Sequence, residues 1–75
     1  MKRLGIVLDV SYRGTLVTRA EATPSLGEKV FTGDGQQIGR VERVFGLVSR
    51  PYVTVKPTSR KQKLMGVIGK ELYLE

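Results

Sequence analysis

Residues 38–57 read IGRVERVFGLVSRPYVTVKP, and this stretch predicts a long β-hairpin. Val53 and Val55 alternate with more polar side chains, which is the period-two pattern of a strand that buries one face. Pro57 closes this second strand because proline has no N–H group to give to a sheet. The stretch therefore joins two β-rich segments through a turn at Phe45 and Gly46.

The glycines of this stretch decide between strand and helix. The apolar spacing over residues 41–48 also fits a helical stripe, so periodicity alone leaves both structures open. Inside a helix, Gly39 and Gly46 would each cost about 1 kcal/mol relative to alanine, whereas in a hairpin they serve a bulge and a turn. Because Arg43 interrupts strict alternation, we predict a bulge near Gly39 or Arg43.

The predicted tip of the hairpin is apolar, although most turns are polar. Phe45, Leu47 and Val48 surround Gly46 there. A large exposed apolar tip marks a binding surface, or else the rest of the domain covers it. Phe45 and Val48 are accordingly either exposed anchors for a partner or part of a core.

The N-terminal segment predicts a first strand and a returning strand. Leu4, Ile6, Leu8 and Val10 alternate with other residues and are predicted to face inward. Residues 12–14 form a tight turn that needs a positive φ at its glycine, and residues 15–19 return as the second strand.

The loop at residues 32–35 places one carboxylate, Asp34, between two glycines. Such a loop is compatible with a phosphate cradle or a metal site, but without a helix start or an oxygen cluster we interpret it as a hairpin turn. Residues 26–31, which precede it, are predicted to be a turn that leads into a short third strand. Residues 64–69 are predicted to be a short turn or strand, and residues 71–74 a closing strand with Leu72 and Leu74 inward.

Six short strands in one small domain need protected edges, which closure of the sheet provides. The sequence therefore predicts an all-β fold, a six-stranded closed or partly closed barrel, as a single domain over residues 1–75.

Composition argues against chemistry by this chain. It contains no histidine and no cysteine, so the commonest general base and the commonest transition-metal ligand are absent. Its acidic residues show no paired spacing, and no nucleophile stands beside a base. We expect no enzyme activity, no catalytic residue, no metal and no cofactor.

Charge and hydropathy point to an intracellular protein with polyanions nearby. Thirteen Lys and Arg against seven Asp and Glu give a formal charge of +6, which raises affinity for RNA without proving contact. No apolar run approaches the roughly 20 residues of a membrane span, so we expect a cytoplasmic location and no membrane contact. The five aromatic residues are scattered along the chain, which argues against a single-strand stacking platform.

A basic loop at residues 58–63 offers a possible RNA contact through Arg60, Lys61 and Lys63. The alternative is an ordinary solvated loop, which is what charge runs between strands usually form.

Several segments together resemble a known family. These are residues 1–8 (MKRLGIVL), 24–30 (PSLGEKV), 38–41 (IGRV), 44–48 (VFGLV) and 51–57 (PYVTVKP). They are similar to the small Gar-type subunit of H/ACA guide-RNA pseudouridylation particles, over nearly the whole chain. Members commonly carry Gly-Pro in the hairpin tip, where this chain has Gly46-Leu47. The Arg-Gly-rich tails of eukaryotic members are absent, which suggests an archaeal-type form.

The resemblance implies a barrel like the second domain of translation factors. It also implies a non-catalytic subunit that binds the catalytic domain of the pseudouridine synthase and assists placement and turnover of substrate rRNA. The chain would then associate with guide RNA and substrate rRNA only indirectly, through the assembled particle. The residues expected to form the docking surface are Val44, Phe45, Gly46, Leu47, Val48, Pro51 and Tyr52.

A second hypothesis remains open from the residues alone. The chain would then be an independent RNA-binding barrel, as in ribosome-maturation proteins, with a basic face on RNA. That face would comprise Arg13, Arg40, Arg43, Arg50, Lys56, Arg60, Lys61 and Lys63. Phosphate-dominated binding weakens steeply as salt rises, whereas an apolar protein interface survives moderate salt.

Overall fold

The computed structural model describes residues 2–58 and 64–75. These residues form six strands and one 3₁₀ helix. In chain order they are β1 (Lys2–Val10), β2 (Leu16–Ala20), β3 (Lys29–Thr32), β4 (Gln37–Gly46), β5 (Pro51–Pro57), the 3₁₀ helix (Leu64–Val67) and β6 (Glu71–Leu74). The segment at 64–69, predicted as a turn or strand, is therefore a helical turn. Within the described residues, we find no helix with the length and apolarity needed to cross a membrane.

The strands close into a barrel in the order β1-β2-β5-β4-β3-β6. Every neighbouring pair is antiparallel. Closure pairs the backbone of β1 with both β2 and β6, so the first strand has no free edge. The predicted all-β, six-stranded closed barrel is confirmed.

Aliphatic side chains from all six strands fill the barrel. This buried cluster consists of Leu4, Val7, Leu16, Ala20, Val30, Ile38, Val41, Val53, Val55, Leu72 and Leu74. Leu72 and Leu74 face inward from the last strand, as predicted. Because the interior is filled by side chains, any site of this barrel has to lie on its outer surface or at its ends.

The inner face predicted for β1 is wrong at its two middle positions, Ile6 and Leu8. Leu4 and Val7 are buried, whereas Ile6 and Leu8 are 37% and 45% exposed on the outside, and Val10 is half-buried against the core. The register of β1 shifts once against β6, between residues 3 and 5, and once against β2, between residues 7 and 9. A bulge inserts one residue and so exchanges the inward and outward sides of the strand.

Gly5 allows β1 to approach β2 closely. A Cβ atom on Gly5 would overlap the backbone carbonyl of Arg19 and approach Cα of Ala20 at 2.9 Å. The backbones of β1 and β2 therefore approach each other as only glycine permits. Ile6, which follows Gly5 and pairs with Arg19 in the register, lies on the outer surface.

Two predicted turns and one predicted bulge are confirmed. Gly14 has a φ of 84° in the turn between β1 and β2. The bulge expected near Gly39 or Arg43 lies at the second position, where the β4–β5 register shifts between Val41 and Arg43. Residues 32–36 form the hairpin turn between β3 and β4. The proposed RNA contacts Arg60, Lys61 and Lys63 lie outside the described residues.

Candidate docking surface

The long hairpin holds the candidate site in a fixed geometry. Phe45 pairs with Tyr52 across β4 and β5, and Gly46 pairs with Pro51. The chain reverses over residues 47–50, where the Arg50 N–H donates to the Leu47 carbonyl at 3.2 Å. Gly46 ends β4 with a φ of 94°. The turn predicted at Phe45 and Gly46 is therefore displaced, since both residues belong to β4, but Gly46 has the positive φ expected of a permissive residue.

The hairpin tip presents an exposed apolar surface. Val48 is 91% exposed, Leu47 74%, Phe45 46% and Tyr52 39%. Pro51 is buried, and Val44 is partly buried against the core. The alternative that Phe45 and Val48 belong to the barrel core is therefore wrong. Four of the predicted docking residues offer side chains to solvent, while Val44 and Pro51 join the tip to the barrel.

The rings of Phe45 and Tyr52 stack on the outside of the hairpin. Their centroids are 5.8 Å apart and their planes differ by 26°. Sequence reasoning expected scattered rings, but this pair lies on adjacent strands. An offset-stacked pair is stabilised beyond its buried area, so it is held in place before a partner arrives. Tyr12, by contrast, projects alone from the turn between β1 and β2, at 99% exposure.

The aromatic pair belongs to a row of outward-facing residues that crosses four strands. Ile6 pairs with Arg19, Arg19 with Tyr52, and Tyr52 with Phe45. All four side chains are exposed. Sequence reasoning missed Ile6 and Arg19, since it placed Ile6 inside. The sequence of β1 did contain a sign of an apolar outer surface. Val7 stands between Ile6 and Leu8, so both faces of the strand carry apolar residues.

The basic residues described by the structure form one short row, Lys29, Arg40 and Lys56 across β3, β4 and β5, and are otherwise spread over the barrel. Arg13 lies in the turn between β1 and β2, and Arg50 lies at the tip. Arg40 and Lys56 pair across β4 and β5, and the Arg40 guanidinium donates to the Gly27 carbonyl at 3.0 Å. This spread gives a general positive field more readily than a phosphate-binding track.

The loop around Asp34 is closed by its own hydrogen bonds. The Thr32 N–H donates to the Gln36 carbonyl at 2.9 Å, and the Gly35 N–H donates to the Thr32 carbonyl at 3.0 Å. The Thr32 hydroxyl donates to the carboxylate, and this bond holds the pKa of Asp34 below its ordinary value. Over residues 2–58 and 64–75, no three His, Cys, Asp or Glu side chains group as metal ligands would. These bonds support a structural turn.

Comparison with known proteins identifies similar chains. Residues 2–75 match the model of the family described as the Gar1/Naf1 RNA binding region. An uncharacterized protein of the archaeon Methanothermobacter thermautotrophicus is 38% identical over 76 residues, which cover 99% of this chain and 83% of that relative. The match extends over all six strands, so it includes the hairpin, its tip and the outer surface of β1.

Proposed function

The chain belongs to the Gar1/Naf1 family of RNA-binding regions, and from that premise we propose that it is a non-catalytic subunit of an H/ACA guide-RNA pseudouridylation particle. In this role it docks on the catalytic domain of the pseudouridine synthase. Guide RNA and substrate rRNA reach it through the assembled particle, in the cytoplasm. The archaeal relative agrees with an archaeal-type form of the subunit.

The exposed apolar tip is the observation that carries this proposal. Leu47 and Val48 are the most exposed aliphatic side chains of the hairpin, and the stacked pair of Phe45 and Tyr52 lies beside them. Interface hot spots concentrate on such aromatic and apolar anchors, set in a fixed frame and surrounded by polar residues. A fixed hairpin also loses little conformational entropy on binding.

Within the proposed role, the chain influences a conformational step and leaves the chemistry to its partner. It has neither histidine nor cysteine, and its carboxylates show no acid–base pairing in sequence. A subunit without catalytic groups is able to influence substrate loading or product release, which are steps that limit many enzymes. We therefore expect a larger effect on turnover than on a single chemical event.

Rate measurements on the reconstituted particle test this function. The synthase and guide RNA are assembled without this chain, with it, and with a Phe45→Asp variant that introduces a charge into the apolar tip. Tyr12→Asp introduces the same charge at an exposed ring outside the tip. We expect the wild-type chain and the Tyr12→Asp control to accelerate multiple-turnover pseudouridylation more than single-turnover pseudouridylation. Equal rates with and without the chain in both regimes would contradict the proposal.

One observation favours a second candidate, an independent RNA-binding barrel. The Phe45–Tyr52 pair stands on adjacent strands with Arg19 next to it in the same row, and single-stranded RNA binds surfaces that combine rings and arginines. Binding of that kind would lose affinity steeply as salt rises. The protein-docking function predicts instead a complex with the synthase that persists at moderate salt.

A further inference from the structure

A shallow groove lies below the hairpin tip, on the outer surface of β1 and β2. Ile6 and Leu8 contribute its apolar walls, Arg19 and Arg50 contribute two guanidinium groups, and Ala20 and Glu21 complete the lining. Arg50 comes from the tip itself, so the groove connects the candidate docking surface with the first two strands. We call it the Arg19 groove.

Ile6 and Leu8, the apolar walls of the Arg19 groove, are not part of the core. The bulges of β1 turn Leu4 and Val7 toward the barrel interior and leave Ile6 and Leu8 outside. Ile6 and Leu8 therefore form an apolar patch on the solvent-facing side of the barrel, and exposed apolar patches of this kind mark surfaces that a partner covers. Together with Tyr52 and Phe45 they extend the apolar surface of the tip across four strands.

The groove also carries two positive charges that form no ion pair within the described part of the chain. Both ion pairs found among the described residues belong to Arg3, which meets Glu21 at 3.6 Å and Glu71 at 3.0 Å. Neither Arg19 nor Arg50 has a carboxylate partner among the described residues. The one acid of the groove, Glu21, pairs with Arg3, so neither groove arginine has an ion-pair partner among the described residues.

We propose that the Arg19 groove receives a segment of the pseudouridine synthase that places an aliphatic side chain against Ile6 and Leu8 and carboxylates against Arg19 and Arg50. This inference rests on the proposed function and extends its docking surface beyond the tip. A protein that covers Tyr52 and Phe45 also desolvates Arg19, since Arg19 stands between Ile6 and Tyr52 in the outer row. Desolvating a guanidinium is unfavourable unless an acceptor replaces water, so the partner has to supply one.

The lining of the groove favours a protein segment over RNA. Aliphatic walls match the apolar centre of a protein interface, where charged residues are depleted and stand at the rim. An RNA site is instead more polar and strongly basic, with rings for the bases to stack on. The only rings of the outer row, Phe45 and Tyr52, lie beyond Arg19 and do not line the groove.

Affinity measurements with matched variants test the proposal. The full chain is titrated calorimetrically into purified synthase from the same organism, without RNA and at near-physiological salt. Arg19→Glu reverses a charge inside the groove, and Arg13→Glu makes the same change at an exposed turn outside it. Leu8→Ser removes an apolar wall, and Leu26→Ser makes the same change at a residue that is 70% exposed in the turn before β3.

The expected result is a loss of affinity specific to the groove. Arg19→Glu weakens binding by roughly tenfold or more, since it leaves like charges facing each other, while Arg13→Glu changes it by about twofold or less, as screened surface charges do. Leu8→Ser weakens binding more than Leu26→Ser. Circular dichroism is expected to show all four variants folded, because each substituted side chain is exposed.

Other results overturn the proposal in distinguishable ways. If either groove variant binds like its control, the groove is outside the interface, although docking through the tip still stands. If Arg19→Glu leaves synthase binding unchanged but reduces retention of guide RNA in a parallel filter-binding assay, the groove serves nucleic acid. If the wild-type chain does not bind the synthase at all, the proposed function fails, and this inference fails with it.

Discussion

Gly46 lies against the ring of Tyr52. A Cβ atom on Gly46 would be 3.2 Å from Cδ2 of Tyr52, which is tighter than ordinary van der Waals contact, and the φ of Gly46 is 94°. Tyr52 in turn stacks on Phe45. The glycine therefore serves two purposes: it allows the backbone to turn, and it leaves room for the aromatic pair of the candidate docking surface.

Substitution of Gly46 is expected to damage docking more than folding. Gly46→Val strains the backbone, at a cost of about 1 kcal/mol or more, and also displaces the Tyr52 ring. Gly35→Val is the matched control, because Gly35 has a φ of 86° but no atom within 4 Å of an added Cβ. We expect both variants to lower the melting temperature and only Gly46→Val to weaken synthase binding strongly. Equal losses of affinity would remove the link between Gly46 and the aromatic pair.

Phe45 is expected to act as an anchor for the partner. Its ring is 46% exposed, so Phe45→Asp keeps the new carboxylate in contact with water and leaves a folded monomer. Loss of a hot-spot ring costs partner affinity by about 2 kcal/mol or more. Circular dichroism together with a synthase pull-down measures both effects, with Tyr12→Asp as the control. A folded Phe45→Asp protein that binds normally would refute the anchor role.

Gly5 is expected to be essential for stability, for a reason unrelated to docking. An added Cβ meets the Arg19 carbonyl and the backbone of Ala20, neither of which is able to move without disturbing β2. We expect Gly5→Ala to cost about 1–3 kcal/mol in the free energy of unfolding, as overpacking does. Gly33→Ala is the control, since its added Cβ would meet only the Tyr73 ring, at 3.6 Å. Urea denaturation of both variants decides the matter, and similar midpoints would contradict the close approach of β1 and β2.

Thr18 is expected to be replaceable by valine with a gain in stability. Its side chain is fully buried, and its hydroxyl has no hydrogen-bond partner within the described residues. Valine has the same shape without the polar atom, so Thr18→Val should raise the free energy of unfolding by about 1 kcal/mol. Urea denaturation tests this as well. A destabilised Thr18→Val variant would show that the hydroxyl is satisfied in solution.

Much of the fold was predictable because its signals are local. Alternating valines identified β5, Gly14 identified the first turn, and Arg43 identified the bulge of β4. These features depend on residues close in sequence, where periodicity and turn chemistry act directly. The closed barrel followed from the number of short strands, whose edges need protection.

The outer surface of β1 was not predictable in the same way. Strand alternation assigned Ile6 and Leu8 to the core, because Leu4 and Val10 share their parity. The bulges that reverse this assignment depend on β2 and β6, the second of which is more than sixty residues away in sequence. The aromatic pair was hidden for a related reason: Phe45 and Tyr52 meet only when the register of the hairpin is known.

Direct binding of this chain to the purified pseudouridine synthase, without RNA, tests the central claim. Calorimetry at near-physiological salt, repeated at higher salt, is compared with filter binding to a guide RNA and to a scrambled RNA. The account predicts a one-to-one protein complex that persists at higher salt, and weak RNA binding without sequence preference. A tight, sequence-selective and salt-sensitive RNA complex, with no complex between this chain and the synthase, would contradict it.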